Sequence, residues 1–495
     1  MDTGRLMISV PVVLLVVAIV AGFAAMFWTR DNRNLPPREP GIPFIGNVDM
    51  KPEPSYFLKL QKKHGDLFTL NLFGRTIIVA CGYDTLKELL VKNGEKTTGH
   101  PVSFGLTEYF ELSGMIGSSG SIWRHQRKFG HDALKAIDSG SDNIESRVLA
   151  EVQDFLKEVE KMEGKPFDVS RLIKISHCNI MSSLLFGKRF AHNDPTLTRL
   201  VDLVDEAMAI FPEQGILSYV EWLKYLPGDR FKVRRRRFLV DEIFKIVQKS
   251  VDEHKETLEN PKNQDLIYSF LNEQKKRKMN NEDLTGFGDR DLLIMGYVLH
   301  FSSTPALNEL YWYILYLMHN PDVVVRMRKE IQENVGMKKP VTMADQAKLP
   351  YCRAVMYEVL RMSTPVFVTA AHTLSEDIEV NGFTLPNDAW LMPVLGTANL
   401  DPANFPEPEK FKPERFLNEN GELAGYEKVY MSFALGPRDC VAKNIAKMEM
   451  SLFLTTLVQN YDIENEPGKP LPSLEGISNG FRSAIPYEVC LKKRN

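Results

Sequence analysis

The cysteine that closes Phe433-Ala-Leu-Gly-Pro-Arg-Asp-Cys440 carries the strongest chemical signal in the chain. Gly436-Pro437 marks a tight turn, and from Val441 onward apolar residues recur at three-and-four spacing, which predicts a helix just behind the thiol. Unpaired N–H groups and the positive end of a helix favour an anion there and lower a thiol's pKa toward the form that ligates metals. Arg438, a fixed cation two residues earlier, can grip a carboxylate through charge-assisted hydrogen bonds, and Phe433 can shield the sulfur. A lone cysteine is more often a small buried hydrophobe than a ligand, so the choice between the two rests on the rest of the chain.

Other motifs stand at separated places. Glu358-Val-Leu-Arg361 sets a carboxylate and a guanidinium on one helix face, and Phe411-Lys-Pro-Glu-Arg-Phe416 brings Arg415. Trp123-Arg-His-Gln-Arg127 offers an indole and a guanidinium one helical turn apart. With Phe433, Gly436, Arg438 and Cys440, these motifs resemble, in order and approximate spacing, the signatures of the cytochrome P450 superfamily. The resemblance runs from about Pro36 to the C-terminus and is greatest to the animal microsomal, family 2 clan of drug- and steroid-metabolising members. It implies the cytochrome P450 fold and a haem b whose iron takes an axial thiolate from Cys440. It also implies haem contacts from Arg438, Phe433, Gly436, Trp123, Arg127 and His372, with the two propionates met by the arginines, the tryptophan and the histidine. Glu358, Arg361 and Arg415 would form a structural cluster on the thiolate side.

Composition agrees with a large globular enzyme. The 495 residues are 44% hydrophobic and 25% charged, enough for a sizeable core. A formal charge of −3, from 61 Lys+Arg and 64 Asp+Glu, gives no global bias toward nucleic acid. Five scattered cysteines without a Cys-x-x-Cys pair argue against a disulfide framework or a zinc site.

The elements that must position these residues read as mainly α with a minor β-sheet region. Helical periodicity covers 146–161, 238–258, 289–319 and 448–458; residues 67–80 are strand-like around a Gly-Arg turn, and Asn381-Gly382 predicts a tight hairpin within 378–385. Ahead of them, residues 7–28 carry no charge and are long enough to cross a bilayer. The expected organisation is a membrane anchor over 1–30, a proline-rich hinge over 31–50 and a catalytic domain over 51–495. Arg30, Arg33 and Arg38 keep the body on the cytosolic side of a single-pass span, placed by the resemblance in the endoplasmic reticulum membrane.

The chain departs from the family on the distal helix. Where most members carry an acid followed by an alcohol that relay protons, the matching residues are Thr304 and Pro305, within Phe301-Ser-Ser-Thr-Pro-Ala306. A proline there removes a backbone hydrogen bond and frees a carbonyl about one turn earlier. Thr304 and Ser303 are the candidates for any remaining relay. Ala442 and Lys443 stand where the family usually has glycine and the animal clan often has glutamate.

The leading expectation is a monooxygenase that inserts one oxygen atom from O2 into an apolar substrate (steroid, fatty acid or xenobiotic). Electrons would come from NADPH through NADPH-cytochrome P450 reductase, with cytochrome b5 a further partner. Arg124, Lys128, Lys443 and Lys447 are candidates to steer an acidic flavoprotein, and 104–110, 211–216, 298–305, 366–369 and 478–481 are candidate substrate walls. The alternatives are a haem-thiolate isomerase or lyase of an oxygenated lipid, independent of O2, and a haem protein of low turnover.

Overall fold

The computed structural model describes residues 33–494 apart from 44, 52, 261–263, 303 and 426–428, together with residues 15, 17, 18 and 20. The expected anchor therefore lies almost wholly outside the described residues, and no helix among those described is long and apolar enough to cross a membrane.

The long helices are α1 (Pro54–His64), α2 (Gly120–Asp138), α3 (Ile144–Glu160), α4 (Ser170–Phe186), α5 (Pro195–Ile210), α6 (Val233–Glu256), α7 (Leu266–Met279), α8 (Asp289–Phe301), α9 (Thr304–His319), α10 (Pro321–Asn334), α11 (Pro350–Ser363) and α12 (Lys443–Asn460). Their faces follow the sequence pattern. α2 buries Trp123, Gln126, Gly130, Ala133 and Ile137, one stripe at three-and-four spacing. α3 starts where the Asn143 side chain accepts from the Ser146 N–H at 2.9 Å. α9 is buried all round from Glu309 to Met318 and packs on α4, α11 and α12, so the core is built about it.

The strands are β1 (Leu67–Leu72), β2 (Arg75–Ala80), β3 (His372–Thr373), β4 (Ile378–Val380), β5 (Phe383–Leu385), β6 (Trp390–Pro393), β7 (Tyr461–Glu464), β8 (Gly476–Asn479), β9 (Phe481–Ala484) and β10 (Cys490–Lys493). One sheet runs β1-β2-β6-β3, and β10-β7, β4-β5 and β8-β9 form two-stranded pairs. The β1–β2 turn is made by Phe73 and Gly74, both at positive φ, rather than by Gly74 and Arg75. Asn381 and Gly382 adopt the same conformation between β4 and β5, the hairpin the dipeptide predicts.

The expected helix over 289–319 is two helices. α8 ends at Phe301 and α9 begins at Thr304, so Pro305 falls in the first turn of α9, the part of a helix that tolerates proline best.

Candidate active site

The cysteine loop is locked by a close approach. Gly436 holds φ +77°, and a Cβ there would lie 1.7 Å from the Leu90 carbonyl oxygen in the π-helical turn Glu88–Lys92. Only glycine fits both demands. A Cβ on Gly94 would likewise meet Pro437 Cδ at 2.7 Å. The loop closes through the Cys440 N–H donating to the Phe433 carbonyl at 3.0 Å and the Asp439 N–H to that of Gly436 at 3.1 Å.

Cys440 is exposed, whereas the other four cysteines are buried. Burial nonetheless pushes its thiol up, opposed by a hydrogen bond from the Ala442 backbone and by the charges of Arg127 and Lys443. The sulfur is thus open to a partner at its surface while the surrounding loop disfavours its charged form. The expected lowering of its pKa is reversed because α12 starts only at Lys443, three residues on, so desolvation outweighs the helix terminus.

Three polypeptide segments meet beside this loop. Arg438 donates to the carbonyls of Thr98 (2.8 Å), Met115 (3.0 Å) and Ser118 (2.6 Å) and lies 4.3 Å over the Trp123 ring. It has no carboxylate partner among the described residues, and burial, with Arg127 nearby, pushes its pKa down to about 9. The Trp123 Nε1 is buried and finds no acceptor. His372, held in β3, has its Nδ1 2.6 Å from the Thr97 carbonyl. Gly99 bridges Thr373, which sets the His100 ring 5.1 Å from that of His372. The Nδ1 of His100 reaches the Ala371 carbonyl at 2.8 Å. Burial and the Arg438 charge hold both imidazoles neutral, His372 at about 4 and His100 at about 3.

Arg127 donates to the Asp439 carbonyl at 2.6 Å and pairs with its side chain, so its visible bonds fix the cysteine loop. Behind the loop Glu358 and Arg361, both fully buried, form a bidentate pair at 2.8 and 2.9 Å. Arg415 Nε adds a bond to Glu358 at 3.1 Å, and the Lys412 N–H another at 2.8 Å. The remaining donors are spent on carbonyls: Arg361 on Asn399, and Arg415 on Pro406, Glu407 and Lys410. The expected three-residue cluster is present and anchors the strand-poor segment 399–415 to α11.

Across from it, the Thr304 hydroxyl donates to the Phe301 carbonyl at 3.2 Å. Ser303 lies outside the described residues.

The cytochrome P450 family profile matches residues 36–491. Cytochrome P450 2B2 of Rattus norvegicus is 29% identical over 98% of this chain and 100% of its own length, and cytochrome P450 2B4 of Oryctolagus cuniculus 31% identical over 91% and 92%. Cytochrome P450 2E1 of Rattus norvegicus is 30% identical over 93% and 94%. The chain belongs to the cytochrome P450 family.

A cytochrome P450 is a haem monooxygenase in which a cysteine thiolate ligates the iron. The donor set here fits that group: an accessible cysteine, and beside it an orphaned indole N–H and a guanidinium without a counter-charge, which suit a pair of carboxylates. The isomerase or lyase alternative gains no support from the relatives.

Two features were missed in the sequence. His100 had no motif around it; its signal was the close glycine before it, where a Cβ would lie 2.1 Å from Thr373 Oγ1. Lys447, expected on a docking face, is half-buried over the rings of Tyr357 (5.4 Å), Tyr430 (5.3 Å) and Phe433 (5.6 Å). It is a packing residue of the cysteine loop. Arg124 and Lys128 are exposed beside Glu95 and Asp132, and Lys443 pairs with Asp439 at 2.6 Å.

Proposed function

We propose that this cytochrome P450 is a membrane-anchored monooxygenase that oxidises an apolar small molecule with electrons delivered from NADPH by a flavoprotein reductase, with Cys440 as the axial ligand. The observation that carries it is the accessible Cys440 beside the uncompensated Arg438 and the orphaned Trp123 N–H. Bound there, a haem supplies the redox chemistry of dioxygen activation. The chain's own residues do the holding. Gly436 seats the loop against Leu90 so that the sulfur has one direction to face. Arg438 would offset the charge of the propionates, the Trp123 N–H would donate to them, His372 and His100 would join as the carboxylates favour protonated rings, and the Glu358–Arg361–Arg415 cluster would keep the loop's support rigid. The aromatic residues of 104–110, 211–216 and 298–301 would exclude water and receive the apolar substrate.

Membrane attachment is the function read for residues 7–28, with the endoplasmic reticulum as the compartment. Ile216, Trp222, Tyr225 and Leu226, all exposed in one connecting segment, and Ile42, Ile45 and Val48 within the hinge support a body that also touches lipid. Arg124 and Lys128 remain exposed cations for the reductase, with cytochrome b5 the second donor.

The test is direct. The reduced, carbon monoxide-treated protein should show the thiolate-type absorption band, and NADPH oxidation should require added reductase and accelerate with substrate. A carbonyl spectrum of the histidine-ligated type would overturn the assignment of the ligand, and NADPH-independent conversion of a lipid hydroperoxide would overturn the reaction.

A further inference from the structure

Four consecutive arginines open α6, and one of them points the wrong way. Arg234, Arg235 and Arg237 stay exposed and pair with Asp229, Glu206 and Glu108. Arg236 is 1% exposed, takes a core position ahead of Leu239, Val240 and Ile243, and has no carboxylate partner among the described residues.

Its bonding is incomplete. Of the five N–H donors of a guanidinium, one goes to Gln214 Oε1 at 2.9 Å and one to the Tyr297 hydroxyl at 3.3 Å, while Nε finds no acceptor. The Tyr109 hydroxyl, also buried, makes no hydrogen bond of good geometry among the described residues, with the Gln214 side chain its polar neighbour. The cation lies 4.2 Å over the Tyr109 ring, 5.1 Å over Phe211 and 5.4 Å over Phe301, which offset part of its desolvation but supply no negative charge. Asp229 is no substitute, since its oxygens accept from the N–H groups of Arg234 and Arg235. A buried cation in this state is strongly destabilising unless an anion joins it.

The surroundings say what kind of anion. Phe301 meets Phe211 edge to face, and Phe211 stacks on Phe481, so an apolar wall runs from the cation to the α8–α9 break and to β9. A ligand here has a hydrocarbon body and one polar end. The open donors are the Nε–H, the remaining Nη–H groups and the Tyr109 hydroxyl, a fork plus one, which suits the two oxygens of a carboxylate. A monoanion also leaves the closed site neutral, whereas a phosphate dianion would not.

We propose that Arg236 and Tyr109 recognise the carboxylate of a long-chain carboxylic acid, and so set the substrate class of this enzyme. The inference rests on the reading of these aromatic segments as walls of the substrate cavity. The competing role is a strut, with Arg236 merely tying Gln214 and Tyr297 together.

The experiment uses the full-length haem-loaded protein, titrated with dodecanoic acid and with methyl dodecanoate, followed by the shift of the Soret band and by thermal stabilisation. The acid should bind about tenfold or more tightly than the ester, the range expected for charge-assisted hydrogen bonds. Arg236→Met should remove that preference by weakening the acid far more than the ester, Arg236→Lys should keep part of it, and Tyr109→Phe should reduce it by a smaller factor. Equal binding of acid and ester by the native protein, or an acid preference that survives in Arg236→Met, would overturn the proposal. Should Arg236→Met fail to fold, the native comparison and Tyr109→Phe still decide. An intact thiolate-type carbonyl spectrum without acid preference defeats only this inference; loss of that spectrum in the native protein defeats the monooxygenase reading beneath it.

Discussion

The Thr304 hydroxyl donates to the Phe301 carbonyl, the acceptor that the ring nitrogen of Pro305 cannot serve. In an unbroken helix the N–H of residue 305 would bond the carbonyl of residue 301. Here a side chain takes that duty, so the Thr304 hydroxyl is occupied with mending the backbone. The proline and the threonine act as a unit.

Pro305→Thr should therefore restore the N–H, release the Thr304 hydroxyl and supply a second alcohol. The fraction of NADPH electrons recovered in product should rise and peroxide release should fall, with room for about 10²-fold if proton delivery limits turnover. Thr304→Val should instead cost about 1 kcal/mol of stability and leave peroxide release unchanged. A sharp rise in peroxide from Thr304→Val would show that its hydroxyl relays protons after all. Both are read by coupled NADPH and peroxide assays with a thermal melt.

Cys440→Ser should abolish the thiolate-type carbonyl band. Serine substitutions at Cys81, Cys178, Cys352 and Cys490 should leave its position unchanged, because all four are buried and none belongs to the Phe433–Cys440 loop. Their cost should appear only in the melting temperature.

Gly436→Ala places a methyl against a backbone oxygen at a positive φ, so neither a rotamer nor a side-chain shift relieves it. A loss of about 3 kcal/mol is expected, as for severe overpacking, together with poor haem retention. Gly65→Ala, also at positive φ but with open space around it, should keep its haem and lose less. Pyridine haemochrome content and thermal melts of the two variants provide the check.

His372 and His100 give a pH signature. Both have folded-state pKa values, about 4 and about 3, below the ordinary 6.5, so in protein stripped of haem the unfolded chain binds protons that the folded chain refuses. Their contribution is fully present above pH 6.5 and is lost as pH falls, completing near pH 4 for His372 and near pH 3 for His100. The loss is about 3 kcal/mol for His372 if the full shift is realised. Denaturant titrations between pH 7 and pH 4 should show the slope, His372→Gln should reduce it by the His372 share, and reloading haem should shrink it by placing carboxylates near both rings.

Much of this was readable in advance, for physical reasons that differ from residue to residue. Gly436, Arg438 and Cys440 could be singled out from a turn, a fixed charge and the helix behind them, and Trp123 from its resemblance to a known signature, but the approach of Gly436 to Leu90 could not be read in the sequence. Asn381-Gly382 announced its hairpin by a local turn rule. Arg127 and Asp439 were not legible as partners, since 312 positions separate them and only the folded loop brings them together. Arg236 hid within a run of like charges that reads as a solvated face; only burial separates it from its neighbours. Lys447 looked like a surface cation because helical spacing near the start of α12 does not reveal which aromatic rings arrive from α11 and from residues 430–433.

The seat of Gly436 on Leu90 joins parts of the chain that are synthesised far apart. Leu90 emerges early and Gly436 among the last sixty residues, so the contact is one of high sequence separation whose loop entropy must be overcome before it contributes anything. Until then the thiol is an ordinary side chain on an unanchored segment. Cys440, the proposed ligand, is thus held in place only once both segments have been made, and a chain cut before Gly436 would lack it altogether.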